Sequence, residues 1–475
     1  MKTIRKNLLT SLTTGAATAV STFAIAMFAS PLQAKIPNTE TPEAISGPIR
    51  IEITIEDNLA IEAIKTSEKA EVPQATMVVI QPGQENQNIK IKMSTRGLTS
   101  LAKFSRKNFN IKSKDDQKIQ IGQIKGKALV LSASPEDILG TKNKFAYKML
   151  MFAGIRSFNP QYAEVVINGL SRGLYFVTKS ADDEILKATD NEAECVVRRR
   201  YADKIEEKGH DKDLDKNICD KYVSALTKLH KKAEKLKGQE LLDTLSKTLN
   251  LEAYMKWIAL NYLLKNGDYS DEVFFFGKIL GKGTPNEKLY FDILPWDNDD
   301  IDSASAHFAG IFGSPNHGRD EVSRKTLIRS FESSLDKAIA KDPVMLRMFF
   351  DVASRLMNDL AAKSAIQHSV RSLIAELTPY LENQDIMNAG VEDSVRRPHN
   401  RNEILQTLNL RIIDTQLQMA KMNQQLAENA GVDIEELTLN ESSIRSFFDK
   451  AFMSVVQWAT EVKRRPVQIP NPLYQ

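Results

Sequence analysis

The front half of the chain alternates apolar and polar residues, a pattern that predicts strands. Residues 49–55 alternate strictly, which is typical of a half-buried strand. Shorter β-like runs follow at 77–80, 89–93, 109–111 and 128–131. The runs 162–167 and 173–178 flank Asn168-Gly169, and they predict a hairpin whose connection is longer than two residues.

The pattern then changes to helical spacing. A helix is predicted over 142–152, where Gly154 stops it, and residues 181–248 are charged and mainly helical. An amphipathic helix over 251–264 ends at Asn266-Gly267, and two strands follow at 273–276 and 288–294. Beyond about residue 319 the pattern is helical, with breaks at Asp342-Pro343 and around 396–398. Strands first and helices later predict an α+β fold.

Composition and charge exclude only a few classes of function. Of the 475 residues, 42% are hydrophobic and 26% are charged, as in ordinary soluble globular proteins. The net charge of +3 is too small to argue for nucleic acid or an acidic membrane as a partner. The function must therefore be sought in particular sites.

The N-terminus has the pattern of an export signal. Lys2, Arg5 and Lys6 precede a stretch without charged residues, apolar from 16 to 29, that reaches a small residue at Ala34. We interpret 1–34 as a cleaved signal peptide, with an uncleaved membrane anchor as the alternative. Residues 35–48 are rich in Pro, Thr and Glu and are typical of a linker. No later segment is long and apolar enough to span a bilayer, so we expect a periplasmic, cell-surface or secreted protein.

The mature chain has two cysteines, Cys195 and Cys219. In an oxidising compartment they would close one disulfide loop. No metal-ligand spacing surrounds either residue. With only two cysteines, the sequence leaves a disulfide and a pair of free thiols equally open.

A basic segment and an acidic segment carry the candidate chemistry. If 107–111 is a strand, Lys107, Phe109 and Ile111 share one face, and a cation on that apolar face requires an anion. A phosphate and an internal carboxylate both qualify, and an ordinary solvated strand is the simpler interpretation. Arg198-Arg199-Arg200 is a further basic run, which we interpret as a solvated strand end, with contact to a phosphate as the alternative.

The acidic residues lie after predicted elements. Asp268 follows the helix over 251–264, and Asp297, Asp299, Asp300 and Asp302 follow a predicted strand and Pro-Trp. Packed carboxylates repel one another, and Mg²⁺ would relieve that repulsion. A surface acidic turn is the alternative. Phosphoryl transfer needs both features, cations on the phosphates and acids on the metal.

Five blocks over about 90–302 resemble the spore coat protein H (CotH) kinase family. The first, Arg96-Gly97 with 104–112, resembles the family's Arg-Gly-Asn-Ser-Ser and Phe-Pro-Lys-Lys-Ser-Tyr-Arg-Ile-Lys. The second, 137–147, resembles Asp-Lys-Ser-Leu-Leu-Arg-Asn-Lys-Leu-Ala-Tyr. The third, 164–175, has the family's strand, Asn-Gly turn and Gly-Leu-Tyr strand. The last two are the helix with Asp268 and then Pro295-Trp296-Asp297.

This resemblance implies a two-lobed, kinase-like α+β fold that binds ATP and Mg²⁺ and phosphorylates serine or threonine of a protein substrate. It assigns the nucleotide phosphates to Arg96, Lys107 and Lys142, and catalysis to Asp268. Asp297 becomes the Mg²⁺ ligand, helped by Asp299. We expect the kinase-like domain over 49–310 and a helical C-terminal region over 311–475.

The chain departs from the family at three places, and the second and third departures keep a second interpretation open. Lys142 replaces an arginine and loses its two-pronged geometry. Lys179 follows Thr178 where the family has glutamate, and Asp271-Glu272 lie where the family often has asparagine. The alternative to an active kinase is therefore a catalytically inactive module that binds a partner outside the cytoplasm.

Overall fold

The structure is a computed structural model that describes residues 47–430 with gaps. The gaps are 98, 116, 136, 189–192, 212–213, 216, 286, 305–306, 309–310, 316–322, 324, 331 and 390–399. The chain divides into two compact units, Met1–Thr41 and Pro42–Gln475, and all described residues belong to the second. The expected signal peptide and residues 35–46 of the expected linker lie outside the described residues.

The N-terminal half is rich in strands. They are β1 Arg50–Thr54, β2 Glu71–Ile80, β3 Gln87–Arg96, β4 Asn108–Ser113, β5 Ile119–Ile121, β6 Ile124–Gly126, β7 Ala128–Ser132, β8 Gln161–Ile167 and β9 Leu170–Thr178. Within the described residues, seven of them close into a barrel in the order β1-β2-β3-β4-β7-β9-β8. The pair β1–β8 is parallel and the other neighbours are antiparallel.

Apolar side chains at alternate positions of the strands fill the interior of this barrel. Ile51 and Ile53 point inward and are almost fully buried, while Arg50, Glu52 and Thr54 lie on the outer face. The expected length of the β8–β9 connection was wrong. It consists of Asn168 and Gly169 alone, both with positive φ, because a two-residue hairpin turn of this kind matches the strand twist.

A second sheet lies in the middle of the chain. Its strands are β10 Cys195–Arg199, β11 Ile205–His210, β12 Val273–Leu280 and β13 Lys288–Pro295, in the order β11-β10-β12-β13. The expectation that 181–248 is mainly helical was therefore wrong for β10 and β11. These strands are short and contain several charged residues, so their sequences lack the apolar–polar alternation that predicts a strand. A disulfide joins Cys195 on β10 to Cys219, which resolves the open question about these cysteines.

Helices make up most of the rest of the described chain. They are α1 Asn58–Ala63, α2 Thr99–Lys103, α3 Thr141–Phe152, α4 Ala181–Leu186, α5 Ile218–Ala233, α6 Gly238–Thr248, α7 Leu251–Leu263, α8 Ser334–Lys341, α9 Pro343–Ala362, α10 Ala365–Leu377, α11 Gln384–Asn388 and α12 Arg401–Ala430. Short 3-10 turns occur at Ile138–Gly140, Tyr201–Asp203 and Thr378–Tyr380, and β14 His307–Phe308 pairs with β15 Ile311–Pro315.

The predicted helix break at Asp342-Pro343 is confirmed. Asp342 caps α9, because its Oδ1 accepts hydrogen bonds from the N–H groups of Val344 and Met345 at 3.0 and 3.1 Å. The break expected at 396–398 lies outside the described residues. Among the helices that the structure describes, none combines the length and the apolarity needed to cross a bilayer.

The helical part also contacts the barrel directly. The hydroxyl of Tyr380 accepts a hydrogen bond from the N–H of Ile49 at 2.8 Å and donates one to the carbonyl of Tyr162 at 2.9 Å. All three residues are buried. The predicted mixed α+β fold with a β-rich N-terminal half is confirmed.

Candidate active site

One end of the β10–β13 sheet carries the acidic residues that the sequence analysis identified. Strands β12 and β13 are antiparallel, with Val273 opposite Pro295. The residues just outside this pair therefore meet, and the N–H of Trp296 donates to the carbonyl of Glu272 at 2.9 Å. Asp297 follows Trp296 directly. The sheet register thus places Asp297 beside the start of β12.

Asp268 lies on the segment that joins α7 to this sheet end. Lys265, not the expected Gly267, takes the left-handed conformation after the helix, with φ +51°. The N–H of Gly267 donates to the carbonyl of Asp300 at 3.0 Å, and a Cβ at position 267 would collide with the Asp300 carboxylate. The N–H of Asp268 donates to Asn266 Oδ1 at 3.2 Å. The acidic loop after β13 therefore packs against the segment that holds Asp268.

The carboxyl group of Asp268 is surrounded by other acids. Burial is the largest cause that raises its pKa, and neighbouring negative charges raise the pKa further, to about 7. In order of effect, these neighbours are Asp271, Asp300, Asp297 and Glu332. A carboxyl group with a pKa near neutrality can exchange a proton at the pH where most enzymes work.

Asp297 is held in an unusual backbone conformation by α3. Its φ is +46°, and the side chain of Asn143 hydrogen-bonds to its carboxylate. Asn143 Oδ1 also accepts the N–H of Asn298 at 3.0 Å. Burial raises the pKa of Asp297, and the positive charges of Arg96 and Arg198 oppose that rise. Asp297 therefore lies between the barrel and the second sheet, close to cations from both.

Asp299 belongs to the same environment. It is half-buried, and its negative charge adds to that of Asp297 in raising the pKa of Tyr147 beyond the effect of burial. Tyr147 lies one helical turn after Asn143 on α3. One face of α3 thus contacts the acidic loop at two successive turns.

Arg198 on β10 and Arg200 just after it form ion pairs with acids of this site. Arg198 Nη2 lies 2.8 Å from Glu272 Oε2 and 3.5 Å from Asp271 Oδ2. Arg200 Nη1 lies 3.2 Å from the same Asp271 oxygen. Arg199 is almost completely buried. The interpretation of this run as a solvated strand end was wrong, because β10 is an inner strand of the sheet. Burial nevertheless outweighs the arginines and raises the pKa of both acids.

The barrel contributes further cations. The guanidinium of Arg96 lies 5.4 Å from the ring centre of Trp296. Burial lowers the pKa of Arg96, and the charge of Asp297 is the largest opposing effect. Arg96 on β3 lies opposite Asn108 on β4. Lys107 directly precedes Asn108, so it lies at the same end of the barrel as Arg96. Lys107 is 5% exposed, and its Nζ donates to a backbone carbonyl of α2 at 2.7 Å.

Lys142 lies in the first turn of α3, beside Asn143. Its N–H donates to Asp137 Oδ1 at 2.9 Å, and the N–H of Asn143 donates to Asp137 Oδ2 at 3.0 Å. Asp137 therefore caps α3 and fixes the turn that contacts the acidic loop. The structure brings Asp268, Asp297, Asp299 and Arg96 together, with Lys142 one residue from that contact, whereas the Lys107 ammonium is bonded to α2.

Asn143 and Arg198 are site residues whose place the sequence analysis missed. A usable signal for Asn143 was its match to the asparagine in the family block that 137–147 resembles. A usable signal for Arg198 was the preceding apolar run Cys195-Val196-Val197, which is typical of a buried strand.

Comparisons with known proteins give a family for this chain. The family model described as CotH kinase protein matches residues 93–411. No curated protein matches the chain. One similar solved structure is the Shewanella oneidensis MR-1 toxin–antitoxin system of HipA, HipB and operator DNA, at 9% identity with a TM-score of 0.29. The match covers 77% of this chain and 64% of that chain, and so low a score carries no argument. Because the family model matches most of the chain, from β3 into α12, this protein belongs to the CotH kinase family.

Proposed function

We propose that this chain is an exported atypical protein kinase that transfers the γ-phosphate of ATP to serine or threonine of a protein substrate. The observation that carries the proposal is the acidic cluster around Asp268, where burial first, and then the charges of neighbouring acids that include Asp297, raise the pKa of Asp268. Membership of the CotH kinase family supports kinase chemistry in general terms. Export rests on the signal pattern in 1–34, and the two-lobed kinase-like arrangement rests on the sequence resemblance.

In this proposal Asp268 accepts the proton of the substrate hydroxyl. A general base works best when its pKa lies near the working pH, and the pKa of Asp268 is raised to about 7. The base must be ionised to act. A cation that binds among the neighbouring acids would lower this pKa and increase the ionised fraction.

The residues around Asp297 fit a magnesium ion. Mg²⁺ is bound by one or two carboxylates together with phosphate oxygens. Asp297 and Asp299 would supply the carboxylates, and because burial raises the pKa of Asp297 in spite of Arg96 and Arg198, a bound cation would favour its ionised form. When bound, Mg²⁺ supplies the charge that neutralises the transferred phosphate. Asn143 and Arg198 would hold Asp297 in place for this task.

The nucleotide phosphates fit the cations of the barrel and of α3 to different degrees. Arg96 has the strongest electrostatic effect of the cations around Asp297, and its guanidinium matches phosphate geometry. Lys142 lies at a helix N-terminus, which favours anions. Lys107 is buried, and its ammonium donates to the carbonyl of Leu101, so it fits this task less well than Arg96 and Lys142.

A catalytically inactive binding module is the second candidate. The observation that favours it is the set of ion pairs from Arg198 and Arg200 to Asp271 and Glu272, which neutralise acids at the site from within the protein. Lys179, where the family has glutamate, is likewise paired internally, 3.7 Å from a carboxylate oxygen of α4.

A melting experiment with transfer of labelled phosphate separates the two candidates. For a kinase, ATP with Mg²⁺ raises the melting temperature, because a ligand that binds only the native state stabilises it. Asp297→Asn should remove most of that rise and the Mg²⁺-dependent transfer. Asp351→Asn, an exposed carboxylate on α9, is the matched control and should change neither. No rise with ATP and Mg²⁺ would favour the inactive module, and full activity of Asp297→Asn would show that the metal ligand is wrong.

A further inference from the structure

Four exposed lysines form a block on the outer side of β3, β4 and the residue just after β4. Lys92 lies directly opposite Lys112 in the antiparallel register. Lys90 lies opposite Lys114, whose N–H donates to the Lys90 carbonyl at 2.9 Å. All four side chains are exposed. The barrel therefore presents two cross-strand lysine pairs, one above the other.

Such an arrangement is unfavourable in the isolated protein. Like charges directly opposite each other on neighbouring strands destabilise a sheet. Within the part of the chain that the structure describes, none of the four side chains forms a hydrogen bond or an ion pair. Acidic residues elsewhere on the barrel do pair with basic neighbours, as Glu52 does with Arg50. The lysine block thus has positive charge that an external anion would compensate.

The block points along β3 to the candidate active site. Lys90, Lys92, Ser94 and Arg96 alternate on the outer face of one strand. At about 3.3 Å per residue, Lys92 lies about 13 Å and Lys90 about 20 Å from Arg96 along the strand. Arg96 in turn lies beside Trp296 at the acidic cluster. A chain laid along β3 would pass from the lysines to the site.

We infer that the lysine block docks an acidic segment of the protein substrate, an inference that rests on the proposed kinase function. An acid immediately beside the phosphate acceptor would be repelled by Asp268 and its neighbours. Acids about four to six residues away in an extended chain would reach Lys92 and Lys90 instead. The substrate therefore carries its acidic residues at that distance from the acceptor serine or threonine.

The shape of the block favours a single extended peptide over a membrane surface. The lysines occupy two neighbouring strands about 4.8 Å apart, a width that one peptide chain covers. They also form a line that leads toward Arg96, whereas binding to a lipid surface requires no such direction. Anionic lipid therefore enters as a competing outcome of the test.

Fluorescence anisotropy with labelled peptides tests this inference without catalysis. The probes contain one serine and a run of glutamates, placed either about four to six residues from the serine or immediately beside it, and a third version has glutamines. The test variant changes the four lysines to glutamine, at Lys90, Lys92, Lys112 and Lys114. The charge-matched control changes four exposed lysines on or just after α5, at Lys228, Lys231, Lys232 and Lys235.

We expect the distant-glutamate peptide to bind most tightly and to lose about tenfold in affinity on the test variant, since four exposed ion pairs disappear. The control variant should bind like wild type. Equal loss on both variants, or equal binding of all three peptides, would overturn the inference, as would binding only to vesicles of anionic phospholipid. Peptide binding without any ATP-dependent transfer would support the docking surface and refute the kinase proposal, while transfer with no preference among the peptides would do the reverse.

Discussion

Replacing Asp268 by asparagine should stabilise the protein, and the gain should grow with pH. Asparagine has nearly the shape of a protonated carboxyl group but carries no charge at any pH. In wild type, the folded state holds the Asp268 proton up to a pKa of about 7, against an ordinary value of 3.8. Between these two values the folded state binds more protons than the unfolded state. Raising the pH therefore favours unfolding of wild type but not of the variant.

The magnitude follows from the difference between the two pKa values. Each pKa unit corresponds to about 1.4 kcal/mol, so the raised pKa of Asp268 costs the folded state at most about 4 kcal/mol at pH 8 and about 1.5 kcal/mol at pH 5. The Asp268 side chain is partly exposed, and solvent screening reduces both values. We expect the variant to gain about 1–2 kcal/mol more at pH 8 than at pH 5.

Urea unfolding at the two pH values measures this difference. The experiment is run with a chelator, because a bound divalent cation would relieve the same repulsion. Asp351→Asn serves as the control, since it removes an exposed carboxylate that lies on α9. Asp268→Asn should at the same time lose phosphate transfer. An equal stability change at pH 5 and pH 8 would refute the conclusion that burial and the acidic neighbours raise the pKa of Asp268 in the folded state.

Further substitutions test the remaining parts of the site. Arg198→Met should lower the free energy of unfolding in urea by about 3 kcal/mol, because it leaves buried acids without their partner. A loss below about 0.5 kcal/mol would mean that the ion pair contributes no more than a solvent-exposed one. Asn143→Ala should raise the Mg²⁺ concentration needed for half-maximal thermal stabilisation by about tenfold, as outer residues of metal sites do; an unchanged Mg²⁺ titration would contradict its role in holding Asp297. Changing Cys195 and Cys219 to serine should cost about 3 kcal/mol, since it opens a loop with a sequence separation of 24, and an unchanged urea midpoint would contradict this.

The sequence predicts local elements well and their assembly poorly. Strict alternation from Ile49 onward predicts β1, but closure of the barrel depends on the parallel pairing of Arg50 with Glu164, which no local pattern reveals. The hairpin at Asn168 was found although its length was wrong. A turn depends on a few neighbouring residues, so a local sequence pattern can predict it. The register between distant strands depends on the packing of the whole core.

The candidate site divides in the same way. Asp268 and Asp297 were identifiable because several acids follow predicted elements and match a family pattern. Arg198 and Asn143 were not, because their importance comes from the pairing of β10 with β12 and from the contact of α3 with the acidic loop. Their side chains are ordinary in sequence and acquire a role only when distant segments meet.

The hydroxyl of Tyr380 has a practical consequence for shortened versions of this protein. It supplies one hydrogen bond to the residue just before β1 and another to β8, the two strands whose parallel pairing closes the barrel. A fragment that stops before residue 380 would leave a buried N–H and a buried carbonyl at that seam without their partner, each costing about 1–3 kcal/mol. Fragments made for expression or crystallisation should therefore extend beyond α10, even when only the β-rich half is wanted.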